Sequence, residues 1–266
     1  MLQEIFSRLT TRSFKDEMLD FRNFDRIQKI LERVIVFPFE SLVRARWVEL
    51  NHEFRQLILS HADYGTIKGK PQILVFSCRM EPRALMNLGY YLSYVTLEVT
   101  KLGIASAILG GSFKESLLPS MSFKEHEEVP VILCVGRPDK KEKERRRSEK
   151  KSFSEIHFQR SLDYSITQDI APYLKTAMEA MLHSPSHQNS QPWRTIIQDK
   201  TLHFYLSTTD HLEEEIHYID MGLALHHLMV QLKSQGIRVT LANLPREKVR
   251  NAQYIISVVT REPEEA

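Results

Sequence analysis

Residues 84–102, ALMNLGYYLSYVTLEVTKL, and residues 221–235, MGLALHHLMVQLKSQ, decide the architecture. In the first stretch Leu85, Leu88, Leu92, Val95, Val99 and Leu102 recur at alternating intervals of three and four, which is a continuous apolar stripe at helical period. Gly103 stands where that helix must stop, and Gly236 does the same for the second. A shift of half the chain length lays one stretch on the other. Asn87 falls on Asp220, Gly89 on Gly222, Leu92 on Leu225, Val95 on Leu228, Val99 on Leu232, Gly103 on Gly236 and Ile104 on Ile237.

The flanks repeat as well. Short apolar runs that read as strands precede the helices at 71–78 and 202–206 and follow them at 129–136 and 253–259. The helical stretch 20–34 has its counterpart in 171–183. One α+β unit used twice accounts for this pattern better than two unrelated amphipathic helices. The expected division is a first half over 1–136, a connecting segment over 137–151 and a second half over 152–266.

Composition bounds the rest. With 42% hydrophobic and 26% charged residues the chain is neither disordered nor collagenous nor a disulfide scaffold. Cys78 and Cys134 each lie within an apolar run, as buried thiols of a reducing compartment do. No apolar stretch has the length of a membrane span, and MLQEIFSRLTTRSFKDE lacks the order of a signal peptide, so the expected setting is cytoplasmic. The net charge of +2 is uneven: residues 137–151 carry +5, leaving −3 for the rest of the chain. Those basic residues are mixed with acids and lack aromatics for stacking on bases, so a solvated connector is expected and a nucleic-acid partner is not.

Several familiar sites are absent. GTIKGKP (65–71) has one residue too few between its glycines, and a proline where a phosphate loop needs a hydroxyl. There is no G-x-G-x-x-G, no G-x-S-x-G and no H-E-x-x-H. Seven of the eleven histidines fall within 183–227, yet no cysteine or close carboxylate set accompanies them at ligand spacing, so no metal site is expected. The informative stretch is SPSHQNSQPWR (184–194). Its backbone N–H groups, with Ser186, Gln188, Asn189 and Gln191, suit a planar polar ligand or a phosphate. The same residues equally suit a helix cap and turn stapled by a buried Trp193.

S-P-S-x-x-N-S-Q-P-W resembles the signature of the FMN-dependent nitroreductase family, in which such a stretch lines the flavin. Thr11-Arg12-Ser13-Phe14-Lys15 is similar to the family's R-R-S-x-R element, KLGIASAILGG (101–111) to the element whose backbone N–H meets flavin N5, and IDMGLALHHLMVQLKSQGI (219–237) to its I-D-x-G helix. In ordinary members the first two elements lie close together in the chain; here Ser13 and Ser186 stand far apart, in different halves. That arrangement resembles the fused-duplication branch, the TM nitroreductases. The stretch 34–44, VIVFPFESLVR, stands for the loop in the first half and is apolar; LDYSITQ (162–168) stands for the R-S element in the second and lacks its arginine.

The resemblance implies a nitroreductase-like α+β fold folded as a single-chain pseudo-dimer, chiefly monomeric, with one FMN between the halves. It implies Arg12, Ser13 and Lys15 at the phosphate and ribityl chain, Gly110 or Gly111 near N5, and Pro185, Ser186, His187 and Asn189 as the opposite wall. Lys150 or Lys151 is the implied further phosphate ligand. No side chain is implied as a catalytic acid or base, because the flavin carries the chemistry. NAD(P)H is the implied co-substrate, a flat electron-poor small molecule the acceptor, and ping-pong the kinetic order. Thr11, where many members have arginine, points to the alternative of a flavin-binding or regulatory module without turnover.

Overall fold

A computed structural model describes residues 2–48, 67–113, 124, 126–139, 149–164, 166, 170–207, 214–245 and 248–263. The first half contains α1 (Leu2–Ser7), α2 (Phe21–Leu31), β1 (Val43–Val48), β2 (Gln72–Arg79), α3 (Pro82–Lys101), β3 (Ala105–Phe113) and β4 (Glu127–Gly136). The second contains α4 (Phe153–Ile156), β5 (His157–Gln159), α5 (Pro172–Leu182), β6 (Trp193–Gln198), β7 (Thr201–Ser207), α6 (Glu214–Ser234), β8 (Arg238–Ala242) and β9 (Ala252–Arg261). A short 3-10 turn, His187–Asn189, lies between α5 and β6. No described helix is long and apolar enough to cross a membrane.

The strand order is β1-β2-β4-β3 in one sheet and β5-β6-β7-β9-β8 in the other. Without β5, which pairs parallel to β6, the second order is the first repeated, and all those shared pairings are antiparallel. The α+β class and the tandem repeat expected from the two helices are thus present. Strands β2, β4, β7 and β9 overlap the four expected runs. The sequence reading did not mark β1, β3, β5, β6 and β8. In β1 and β8 most residues are half-exposed, and edge strands carry little of the apolar signal that marks central ones.

Helices α3 and α6 pack against each other along their length and are buried almost throughout. The reason is visible at two glycines. A Cβ on Gly89 would collide with the carbonyl oxygen of Ile219, and a Cβ on Gly222 with that of Met86. Met86 and Ile219 are themselves equivalent under the half-chain shift, so the two contacts are one contact made twice. Ser93 Oγ and His226 Nδ1, another equivalent pair, meet at 2.8 Å. These relations define a pseudo-twofold axis through the helix pair. One apolar core continues across it, from Leu74, Phe76 and Leu92 to Phe204, Leu225 and Val258.

The equivalent positions Asn87 and Asp220 do equivalent work. Asn87 accepts from the Phe39 N–H at 3.1 Å and donates to the carbonyls of Phe39 and Ser41 at 2.7 and 2.9 Å. Asp220 accepts from the His187 N–H through both carboxylate oxygens, at 3.0 and 3.1 Å. Each helix therefore pins the loop that enters its own sheet. Residues 140–148 of the basic segment, and 165 and 167–169 in and beside LDYSITQ, lie outside the described residues.

Candidate functional site

A recess of about 580 Å³, counting the part open to solvent, lies between the two sheets. Thr10 and Arg12, Ile108 and Gly110 of β3, and Val131 of β4 form one wall; Pro185, Ser186 and His187 of the loop and Ile216, Ile219, Asp220 and Leu223 of α6 form the other.

The first wall ends in a strand edge. β3 is the last strand of its sheet, and its pairing with β4 is regular from Ala105 to Gly110. The Thr11 N–H donates to the Ser106 carbonyl at 2.9 Å, so Ser106 turns its backbone groups away from β4. A residue's N–H and C=O share one side of a strand, and alternate residues repeat it. Ile108 and Gly110 therefore direct their N–H groups outward along the sheet plane, at the recess. Gly110 also admits α6: a Cβ there would run into Ile216 Cδ1. Ile216 covers the face of the strand and leaves its edge open.

The second wall is the loop 184–191, held in a costly conformation. Gln188, Asn189 and Gln191 have φ of 47°, 58° and 48°, the left-handed region that non-glycine residues rarely adopt. Such strain persists only where the surroundings over-determine it. Here they do. The Gln191 N–H donates to Ser186 Oγ (3.0 Å) and Gln191 Nε2 to the Asn189 carbonyl (3.1 Å). From the neighbouring segment, Lys150 Nζ donates to the Ser184 carbonyl (2.8 Å) and Lys151 Nζ to that of Ser190 (2.6 Å); Asn189 Nδ2 returns a bond to the Glu149 carbonyl (2.7 Å). Trp193, fully buried, fixes the exit into β6.

The electrostatics follow from burial. Asp220, 2% exposed, has its carboxyl pushed above the usual range by desolvation, against the pull of His217 and the His187 N–H. Lys150 is pushed down to about 8 by burial and by Arg8 nearby, with Asp220 acting the other way.

Of the expected ligand residues, the structure brings Arg12, Gly110, Pro185, Ser186 and His187 into one recess. The others are not among the residues that line it. The Ser13 carbonyl accepts from the Asp139 N–H, and Lys15 is exposed with its ammonium 3.6 Å from Glu17. Gly111 continues β3 where the pairing register shifts, and Asn189 and Lys150 belong to the bracing of the loop. Thr10, Val131, Ile216 and Leu223 line the recess without having been foreseen, because single apolar or hydroxyl side chains carry no signal in a sequence. Asp220 had one: it is the acid in I-D-x-G and the partner of Asn87 under the half-chain shift. No described group of three or more His, Cys, Asp or Glu could hold a metal ion.

A two-sheet α+β fold with a recess between its duplicated units is the framework of a nitroreductase-like protein. The chain matches the family described as "Putative TM nitroreductase" over residues 1–232, and it belongs to that family. A crystal structure described as that of "a putative nitroreductase" from Thermotoga maritima superposes on 97% of this chain and 92% of its own with a TM-score of 0.62, at 14% identity. A nitroreductase with bound FMN from Bacteroides fragilis overlaps 56% of this chain and 94% of its own, with a TM-score of 0.45 and 15% identity. A Mycobacterium tuberculosis protein named "Putative NAD(P)H nitroreductase acg" is 33% identical over 90 residues, or 32% of this chain. The match spans a quarter of that relative's length.

Proposed function

We propose that the protein is an FMN-dependent oxidoreductase that takes reducing equivalents from NAD(P)H and passes them, in ping-pong order, to a flat electron-poor small molecule. The observation carrying this reading is the recess itself: the stretches resembling flavin-binding elements, which belong to different halves of the sequence, line its two opposed walls. The residues fit the group. Ile108, Val131, Ile219 and Leu223 offer apolar faces to a planar ring, the edge at Gly110 offers an N–H, and Arg12 offers a cation. Asn189 Oδ1 and Ser190 Oγ are buried in the adjoining loop with no hydrogen bond among the described residues. Bound FMN would supply two-electron transfer at its ring. The chain's part is to hold that ring between the sheets, to stabilise developing negative charge through the Gly110 N–H and Arg12, and to keep water from the apolar walls.

One FMN per chain is the expected stoichiometry, in a monomeric pseudo-dimer of halves 1–136 and 152–266 joined by 137–151, acting in the cytoplasm. Purified protein incubated with excess FMN and desalted should retain close to one flavin per chain, with light scattering at the monomer mass. Two flavins per chain, or none, would overturn the reading. A flavin-binding module without turnover is the second reading. It is favoured by Thr11 and by Lys15, whose ammonium is already matched to Glu17. Flavin that is retained but not reduced by NADH or NADPH would select it.

A further inference from the structure

We infer that Arg8 of the first half and Lys150 of the connecting segment close together on a phosphate monoester, so that Arg8 supplies the positive charge that Thr11 does not. The phosphate is that of the FMN proposed above, on which reading this assignment rests. Arg8 belongs to none of the stretches that resemble flavin-binding elements.

Three observations carry it. First, α1 is a first-half helix docked on the second half. Ile5, 2% exposed, packs with Ala180 of α5 as well as with Leu97 of α3, and the Phe6 ring meets the His183 ring edge-on at 4.8 Å. Second, that docking sets two cations beside the recess. Arg8 Nη1 lies 3.5 Å from Oγ1 of Thr10, which lines one wall. Lys150 Nζ donates to the carbonyl of Ser184, which stands between His183 and the lining residue Pro185. An ammonium has three N–H donors, and this bond uses one. Third, the two charges feel one another: burial, and then Arg8, hold Lys150 down at about 8.

Like charges held close at a half-buried place cost free energy, and an anion between them removes that cost. A phosphate monoester brings nearly two negative charges and three acceptor oxygens, which a guanidinium and an ammonium can share. Thr11 has no charge to offer, and its N–H is spent on the Ser106 carbonyl. The other charged and titratable groups around Lys150 are Asp220 and His227 on α6, His183 ahead of the loop, and Glu149 and Lys151 beside it in the chain. Burial keeps His227 neutral, and both oxygens of Asp220 are engaged by the His187 N–H. Phosphate binding needs Lys150 charged. Above pH 8 a proton must therefore be taken up with the phosphate, and FMN affinity falls as pH rises. Riboflavin, which lacks the phosphate, escapes this dependence.

The experiment uses the full chain freed of flavin, as wild type, Arg8→Gln and Arg8→Lys. Fluorescence titrations give dissociation constants for FMN and for riboflavin from pH 6.5 to 9.5. Thermal midpoints are read with inorganic phosphate and with chloride at equal ionic strength. At pH 7, Arg8→Gln should weaken FMN by about 10- to 100-fold and riboflavin by less than about twofold, as loss of a hydrogen bond to a charged group does. Arg8→Lys, which keeps the charge, should recover most of that loss. In wild type, FMN affinity should fall by up to about tenfold per pH unit above 8. In Arg8→Gln, where Lys150 no longer faces a second cation, the fall should begin at higher pH. Inorganic phosphate should raise the midpoint of wild type and leave that of Arg8→Gln unchanged. Equal weakening of both flavins would make Arg8 a structural residue of α1 and overturn the assignment, as would unchanged FMN affinity; either leaves the FMN reading intact. Wild type that binds neither flavin but is stabilised by phosphate through Arg8 would overturn the FMN reading and keep the clamp. Neither flavin nor phosphate bound would overturn both.

Discussion

Arg12 and Asn189 illustrate how sequence elements of one site can hold residues of different kinds. Arg12 lines the recess, whereas Asn189 spends its amide on the Glu149 carbonyl and braces the loop from behind. Arg12→Ala should therefore weaken FMN binding by about 10- to 100-fold, the worth of a hydrogen bond to a charged group. The loss should shrink as added salt screens the phosphate. Titrations of flavin fluorescence at low and high ionic strength measure both effects; unchanged affinity at low salt would exclude Arg12 from the site. The motif S-P-S-x-x-N was legible as a site. Which of its side chains face the recess and which face the bracing segment depends on left-handed backbone at Gln188, Asn189 and Gln191, which no propensity announces.

At the scale of elements, the helix pair was the most legible part of the chain, since its apolar stripe recurs with the same glycines half a chain length later. Its seam gives a sharp expectation. Gly89→Ala and Gly222→Ala each drive a methyl group into the facing backbone carbonyl, which cannot move as a side chain could. Each should cost about 1–3 kcal/mol or more, the usual penalty of overpacking, and the two costs should be nearly equal because the contacts are equivalent. Urea denaturation with unchanged m-values would measure this. A cost near zero for either would show that the helices can separate slightly without penalty. The edge strands were less legible: β1 and β8 set only half-buried side chains, Val43, Ala45 and Trp47 in the one and Val239 and Leu241 in the other, against the core.

For the molecule as a whole, burial of histidines sets the response to acid. Burial holds His157 and His226 down at about 3, and His227 well below its ordinary value. An unfolded chain takes up these protons below about pH 6.5, whereas the folded chain refuses them. Their contribution to stability is therefore complete above that pH and is lost as pH falls toward 3. Asp220, whose carboxyl is raised, acts in the opposite sense, one group against three. Below pH 6 the net loss should be about 3–4 kcal/mol per pH unit. Denaturant midpoints at pH 7.5, 6 and 5 would register it, and His226→Gln should remove about a third of the slope. Stability that is flat from pH 7.5 to 5 would contradict the buried, neutral state of these rings.

The outer edge of β3 has a consequence for how the chain behaves in a crowd. An open strand edge invites pairing with any extended segment that comes near, and a two-sheet molecule has to guard each one it leaves uncovered. Along β3 the guard is local: Thr10 and Thr11 lie against Ser106, so an incoming strand finds that stretch already taken. Further on, at Ile108 and Gly110, the same edge turns into the recess, hemmed in by Ile216 and the braced loop. One row of backbone amides is thus covered at Ser106 and turned into the recess at Ile108 and Gly110.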